Sequence, residues 1–229
     1  MPDRIPGLFI TGTDTEVGKT HVAALIARTL RAAGRQVGVY KPAASGCRRE
    51  GNEIISDDAV TLWQAAGRPG ELDRVCPQRF LAPLAPHLAA RAEGRRLDAR
   101  LLRDGLEYWQ ARSEIILVEG VGGLMSPLGE EEYVADLAYD FGFPLVVVAR
   151  NVLGTINATL QTLITAAAFR EGLPIAGVVL NNPAAAAEDA SRSTNRSELT
   201  ARCGPPVLGE VAFRAEQLDA EVDWFELAG

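Results

Sequence analysis

Residues 8–21 read LFITGTDTEVGKTH: an apolar run halts at a glycine, a short polar loop follows, and Gly18-Lys19-Thr20 opens a predicted helix. That order of parts suits a polyphosphate. Loop amides and a helix N-terminus face the anion, a lysine neutralises the β/γ-phosphates, and a hydroxyl joins the shell of a Mg²⁺ ion. The strict pattern puts its leading glycine at position 13. This chain has Thr13 there, with Gly12 one residue early.

Acids that could share the metal lie further along. Glu119 ends the apolar run IILVE, and a carboxylate at a strand end beside a phosphate site is a common Mg²⁺ ligand. Asp57 and Asp58 precede a predicted helix, which either could also cap. Thr20, Asp58 and Glu119 together make a plausible set for an ion that takes one or two carboxylates plus phosphate and water oxygens. The Gly-rich run 120–123 allows close approach of backbone to a nucleotide. The chain lacks the Asn-Lys-x-Asp sequence that reads guanine, which favours ATP.

Lysine usage marks a second site. Of 23 basic residues only Lys19 and Lys41 are lysines; the other 21 are arginines. Lysine is a compact point charge on a thin stem, whereas arginine is a broad planar fork. Both lysines fall just after predicted strands, where a small mobile cation is chemically useful.

The elements that must position these groups are legible as alternating patterns. Strands are predicted at 7–11, 36–41, 115–119, 145–149, 175–181 and 207–211. Helices are predicted at 19–33, 58–66, 99–112, 133–141, 155–171 and 186–202. Most strands are continuous Val/Ile/Leu runs, as in a parallel sheet covered on both faces. The expectation is a doubly wound α/β fold in one domain, 1–229, with ligands at the carboxyl ends of the strands. The alanines at 184–187 and the polar stretch 191–197 are expected to form a variable, mobile surface segment.

Composition narrows the classes. A net charge of −7 disfavours nucleic acid. No run approaches the roughly 20 apolar residues of a membrane span. The start Met1-Pro2-Asp3-Arg4 lacks a signal-peptide apolar region, and Cys47, Cys76 and Cys203 are isolated and odd in number. These features point to the cytoplasm. With only His21 and His87, a histidine metal site or Ser-His-Asp triad has little material.

GTDTEVGKT, YKPAASG, SDDA, VEGVGG and VVLNN, together with LAPLAPHLAA, occur in an order and spacing that resemble the dethiobiotin synthetases of biotin biosynthesis across nearly the whole chain. The resemblance implies a P-loop NTPase-like fold and an ATP-dependent, Mg²⁺-requiring ligase. In that chemistry 7,8-diaminopelargonic acid takes up CO₂ as a carbamate, and ATP phosphorylates the carbamate. The second amine then closes a cyclic urea and releases phosphate.

It implies catalytic roles for Lys19 and Lys41 at the carbamate and the transferring phosphoryl group. It implies nucleotide contacts from Glu16, Val17, Gly18, Lys19, Thr20 and His21, from Asp58, and from Glu119, Gly120, Val121 and Gly122. Asn181, with Asn182, would read adenine. Where the family often has Pro and an aromatic after Leu-Gly-Glu, this chain reaches Ala212, Phe213 and Arg214, and the acidic ribose contact falls at Glu216 or Asp219. Thr15 and Ser45 would bind substrate. Leu153, Gly154, Thr155 and Asn157, at a helix start, would hold the substrate carboxylate across a homodimer interface. His87 reads as a packing residue at a helix start.

Two other classes share parts of this pattern. Cobalamin-type amidases usually carry a further domain with a catalytic cysteine on an elbow. Dimerising ATP switches place a second lysine inside the phosphate loop, where this chain has Thr13-Asp14.

Overall fold

The computed structural model describes residues 5–182 and 189–229. In chain order its elements begin β1 (Gly7–Gly12), α1 (Lys19–Ala32), β2 (Val37–Tyr40), β3 (Ala43–Ala44), β4 (Arg48–Glu50), β5 (Glu53–Ile55) and α2 (Asp57–Ala65). The middle of the chain forms α3 (Leu72–Val75), β6 (Gln78–Arg79), α4 (Pro86–Ala92), α5 (Ala99–Gln110), β7 (Ile115–Glu119) and α6 (Val134–Phe141). The last third forms β8 (Leu145–Arg150), α7 (Thr155–Ala168), β9 (Ile175–Asn181), α8 (Arg192–Arg202), β10 (Val207–Val211) and α9 (Trp224–Leu227).

Six parallel strands make the central sheet in the order β10-β9-β8-β1-β7-β2. Every residue of β1 and β7 is buried, which explains their unbroken apolar runs. The β1-to-β2 connection runs one way along the sheet, and the connections from β2 onward run the other way. Right-handed crossovers therefore put α1 on one face and α5–α8 on the other. The packing agrees: α1 lies against α2 and α9, α5 against α6, and α7 against α8. All carboxyl ends share one edge, so the loops after β1, β2 and β7 meet there.

Register decides which side chains meet. Ile10 of β1 is level with Glu119 of β7, and Tyr40 of β2 with Val118, so Lys41 follows directly beside Glu119. Tyr40 is fully buried and donates its hydroxyl to the carbonyls of Leu101 and Leu102 in α5. A Cβ on Gly105 would sit 2.2 Å from that hydroxyl, so this helical glycine is the space that lets Tyr40 anchor the end of β2. Lys41 N–H donates to Val75 O at 2.7 Å, which fixes the next residue.

Small additions surround this frame. The parallel pair β3·β6 and the hairpin β4·β5 were not anticipated, because two- and three-residue strands carry no periodicity. The short helices α3 and α9 were missed for the same reason. Ser56 caps α2 by accepting from Ala59 N–H, so neither Asp57 nor Asp58 is the cap. The segment 191–197 is helical, not a loop: Ser191 precedes α8 and the rest forms its first turns, with Ser193, Thr194 and Ser197 exposed. Asn195, 2% exposed, ties it down by donating to Asn151 Oδ1 at 2.8 Å. The alanines at 184–187, and the predicted start of that helix at 186, lie outside the described residues, as does the Met1–Arg4 reading.

Candidate active site

The loop after β1 carries the phosphate motif. Gly18, with φ 95°, precedes α1, and Glu16 takes φ 58°. Gly18 is required by space as well as by conformation, since a Cβ there would lie 2.0 Å from Asn181 Nδ2. The displaced leading glycine also has a reason. A Cβ on Gly12 would meet Val17 Cγ2 at 2.7 Å and Asp14 O at 2.9 Å, so the loop folds back tightly over position 12 and leaves Thr13 half-buried.

Beside this loop opens a cavity of about 760 Å³. Thr15, Glu16, Gly18, Lys19 and Thr20 line it from the loop and α1. Lys41, Ser45 and Gly46 enter from beyond β2, Asp58 from α2, and Glu119, Val121 and Gly122 from the end of β7. Pro83, Leu84, Ala85 and Pro86 close one side, facing Ser126 and Pro127. That proline-rich wall was visible in LAPLAPHLAA, but its place was not. His87 sits in the first turn of α4, its Nδ1 3.3 Å from Pro127 O, and so ties the two walls together.

One charged cluster dominates the cavity. Lys41 is 3% exposed, with its ammonium 2.6 Å from Glu119 Oε1 and 2.9 Å from Asp58 Oδ2. Thr20 donates its hydroxyl to the same Glu119 oxygen at 2.8 Å. Lys19 Nζ donates to the loop carbonyl of Asp14 at 3.2 Å.

Burial pulls the Lys41 ammonium down, but Glu119 and Asp58 more than offset it and the net shift is upward. Lys19 moves the other way. Burial lowers it, Glu119 only partly opposes this, and Lys41 adds repulsion. Asp58 is raised by burial and lowered by Lys41, with a net shift downward. Asp57 faces outward to Arg48 at 2.8 Å and takes no part.

Glu119 is 1% exposed and its Oε2 is buried with no hydrogen-bond partner among the described residues. A buried carboxylate oxygen without a donor is expensive unless a cation comes to it. The donor set of a hydroxyl and two carboxylates therefore fits a hard divalent ion completed by phosphate and water oxygens.

The remaining sequence-derived residues lie elsewhere. Val17 is buried in the core, and Gly120 N–H pairs with Ile10 O. Asn181 is 4% exposed at the end of β9 and donates Nδ2 to Val17 O. Asn182 donates its Nδ2 to Glu210 Oε1 and Val211 O. The His21 ring contacts the Ala215 backbone, and burial lowers its pKa, partly opposed by that contact. His21, Asn182 and the segment Val211–Ala215 thus form a second patch outside the cavity, with Phe213 half-exposed. Arg214 stacks over the Phe213 ring. Asp219 is engaged structurally: it accepts from Glu210 N–H and pairs with Arg196, while Glu216 is exposed.

Leu153, Gly154, Thr155 and Asn157 do not reach this cavity. Leu153 is 83% exposed, its N–H donating to Asp189, and Thr155 N–H returns to Val152 O. The Thr155 hydroxyl is buried without a partner among the described residues.

A doubly wound parallel sheet whose first strand feeds a Gly-Lys-Thr loop, with a carboxylate at the next strand's end, defines a P-loop nucleotide-binding protein. Residues 6–221 match a family described as an AAA domain. The ATP-dependent dethiobiotin synthetase BioD of Rhodopirellula baltica is 44% identical over 214 residues, covering 89% of this chain and 82% of that protein. The BioD enzymes of Anaeromyxobacter dehalogenans strain 2CP-C and Bacillus cereus strain B4264 are 47% and 39% identical, over 76% and 94% of this chain and 76% and 86% of theirs.

The chain belongs to the ATP-dependent dethiobiotin synthetase family. Likeness to a ParA family ATPase from Chlorobium tepidum (TM-score 0.55, 14% identity, 91% of this chain and 84% of that one) reflects fold alone. The same holds for the FtsY protein of Thermotoga maritima (TM-score 0.53, 12% identity, 100% and 68%).

Proposed function

We propose that the chain is an ATP-dependent dethiobiotin synthetase. It carboxylates 7,8-diaminopelargonic acid with CO₂ and closes the cyclic urea, forming dethiobiotin, ADP and phosphate. The observation that carries this reading is the convergence of the chain's two lysines, 19 and 41, on one cavity that also holds Thr20, Asp58 and Glu119.

Lys19 and the loop amides hold the β- and γ-phosphates at the start of α1. Thr20, Asp58 and Glu119 would hold Mg²⁺, which would supply positive charge to the phosphate oxygens. Lys41 faces the carbamate formed from one substrate amine and CO₂. Its ammonium stabilises the carbamate anion and the phosphoryl group passing to the carbamate oxygen. Attack of the second amine on the activated carbon then expels phosphate.

The wall of Pro83, Leu84, Ala85, Pro86 and Pro127 offers an apolar surface to the substrate's alkyl chain, with Thr15 and Ser45 as polar contacts. Adenine is read at Asn181, whose Oδ1 is the atom to accept from the exocyclic amine because Nδ2 already serves Val17 O. Asn182, His21 and Ala212–Arg214 border the base, and Asp219 stands near the ribose. Residues 153–157 face the site of a second copy in a homodimer, where the start of α7 receives the substrate carboxylate. Among the described residues no helix is long and apolar enough to cross a membrane. The proposed setting is the cytoplasm, and the net charge of −7 disfavours a nucleic-acid partner.

The test is a turnover assay with ATP, Mg²⁺, bicarbonate and the diamine acid. Release of ADP that requires the diamine, with formation of the cyclic urea, is the expected result. Diamine-independent ATP hydrolysis would favour a switch protein instead.

A further inference from the structure

We propose that Arg150 is a positioning residue that, beside the Asn181 bond to Val17, holds the phosphate loop in its anion-binding form. The inference rests on the nucleotide reading above. β8 and β9 are adjacent and parallel, and Arg150 is the register partner of Asn181 at their carboxyl ends. Arg150 Nη2 donates to Glu16 O at 2.8 Å. Asn181 Nδ2 donates to Val17 O at 2.9 Å. Neighbouring side chains on neighbouring strands therefore grip two successive loop carbonyls.

The peptide unit is planar and trans, so its C=O and N–H point in opposite directions. Pulling the Glu16 carbonyl towards Arg150 turns the Val17 amide away from it. Pulling the Val17 carbonyl towards Asn181 does the same to the Gly18 amide. The loop alternates in hand, with positive φ at Glu16 (58°) and Gly18 (95°), which gathers amides into a concave anion site.

Glu16 has no glycine's freedom, and a left-handed conformation is strained for a side-chain-bearing residue. The Arg150 bond falls on the carbonyl of this strained residue. Arg150 is absent from the cavity lining, and its bond to Glu16 O is the contact through which it acts on the loop.

ADP titration of the full chain, with NMR of the Val17 and Gly18 amides, tests the pair. In Arg150→Ala the two amide resonances shift in the nucleotide-free protein and ADP affinity falls by about tenfold or more, as loss of a charge-assisted hydrogen bond implies. Arg150→Lys, which keeps a donor on a long stem, recovers most of the affinity. Should the alanine variant not fold, Arg150→Gln carries the same comparison. ADP affinity within twofold of wild type would overturn the inference. So would shifts spread through β8 and β9 but absent from the loop, or a lysine variant as weak as alanine. If wild type itself failed to bind ADP, the nucleotide reading would fall first.

Discussion

Lys41 has little freedom at the place where the proposed chemistry needs it. Its ammonium sits between Glu119 and Asp58 at 2.6 and 2.9 Å, at 3% exposure. An arginine fork keeps the charge but is too broad for that socket and would point its charge elsewhere. Lys41→Arg is therefore expected to lower diamine-dependent ADP release by roughly 100-fold, the scale seen when one donor to a developing oxyanion is lost. Steady-state kinetics decides it, and near-normal turnover would remove Lys41 from the chemistry.

Asp58 gives a pH signature. Its folded pKa lies below the unfolded one, so its contribution to stability is complete above about pH 4 and disappears as pH falls through the depressed folded value. Asp58→Asn should flatten the acid limb of a melting-temperature-against-pH curve below pH 4 and leave its slope above pH 5 unchanged. The sequence disclosed these residue types because arginine replaces lysine everywhere else. It could not separate Asp58 from Asp57, because both belong to the first turn of α2 and only the packed fold turns one towards Lys41 and the other towards Arg48.

At the scale of elements, the six central strands were legible because burial on both faces leaves no room for polar residues. Helix ends were less so. Residues 169–171 follow α7 but are not helical, since Phe169 is already extended and Arg170 takes φ 51°. The junction between β1 and α1 makes the sharpest element-level case. Gly18→Ala must place a Cβ on a backbone with φ 95°, 2.0 Å from Asn181 Nδ2. The conformational penalty alone is roughly 1–2 kcal/mol. Asn181 must also shift, which releases the Val17 carbonyl. Chemical denaturation should show at least that loss, and nucleotide titration should weaken in parallel. A variant as stable as wild type, with unchanged nucleotide affinity, would mean that the loop's conformation is not what binds.

At the scale of the whole molecule, the cavity of one chain and the start of its own α7 stand apart, and this relation was not legible in local patterns because it depends on how the sheet stacks. Leu153, 83% exposed, and Ile164, 67% exposed, are large apolar side chains left facing outward on that side. If a second copy covers them, each active site is built from two chains, and the two halves can be inactivated separately. Lys41→Ala removes the ammonium proposed to face the carbamate. Leu153→Glu puts a carboxylate where the substrate carboxylate is to be received, on an exposed residue whose loss leaves the core intact.

Each variant alone should be inactive at substrate concentrations that saturate the wild type. Subunits reassorted at random from an equal mixture form half heterodimers. Each heterodimer carries one site free of both substitutions, so about one quarter of wild-type activity should return. Sedimentation of both variants as dimers, followed by this mixing assay, measures it directly. A mixture that stays inactive would place residues 153–157 outside the reaction and leave the cavity of a single chain to bind the whole substrate.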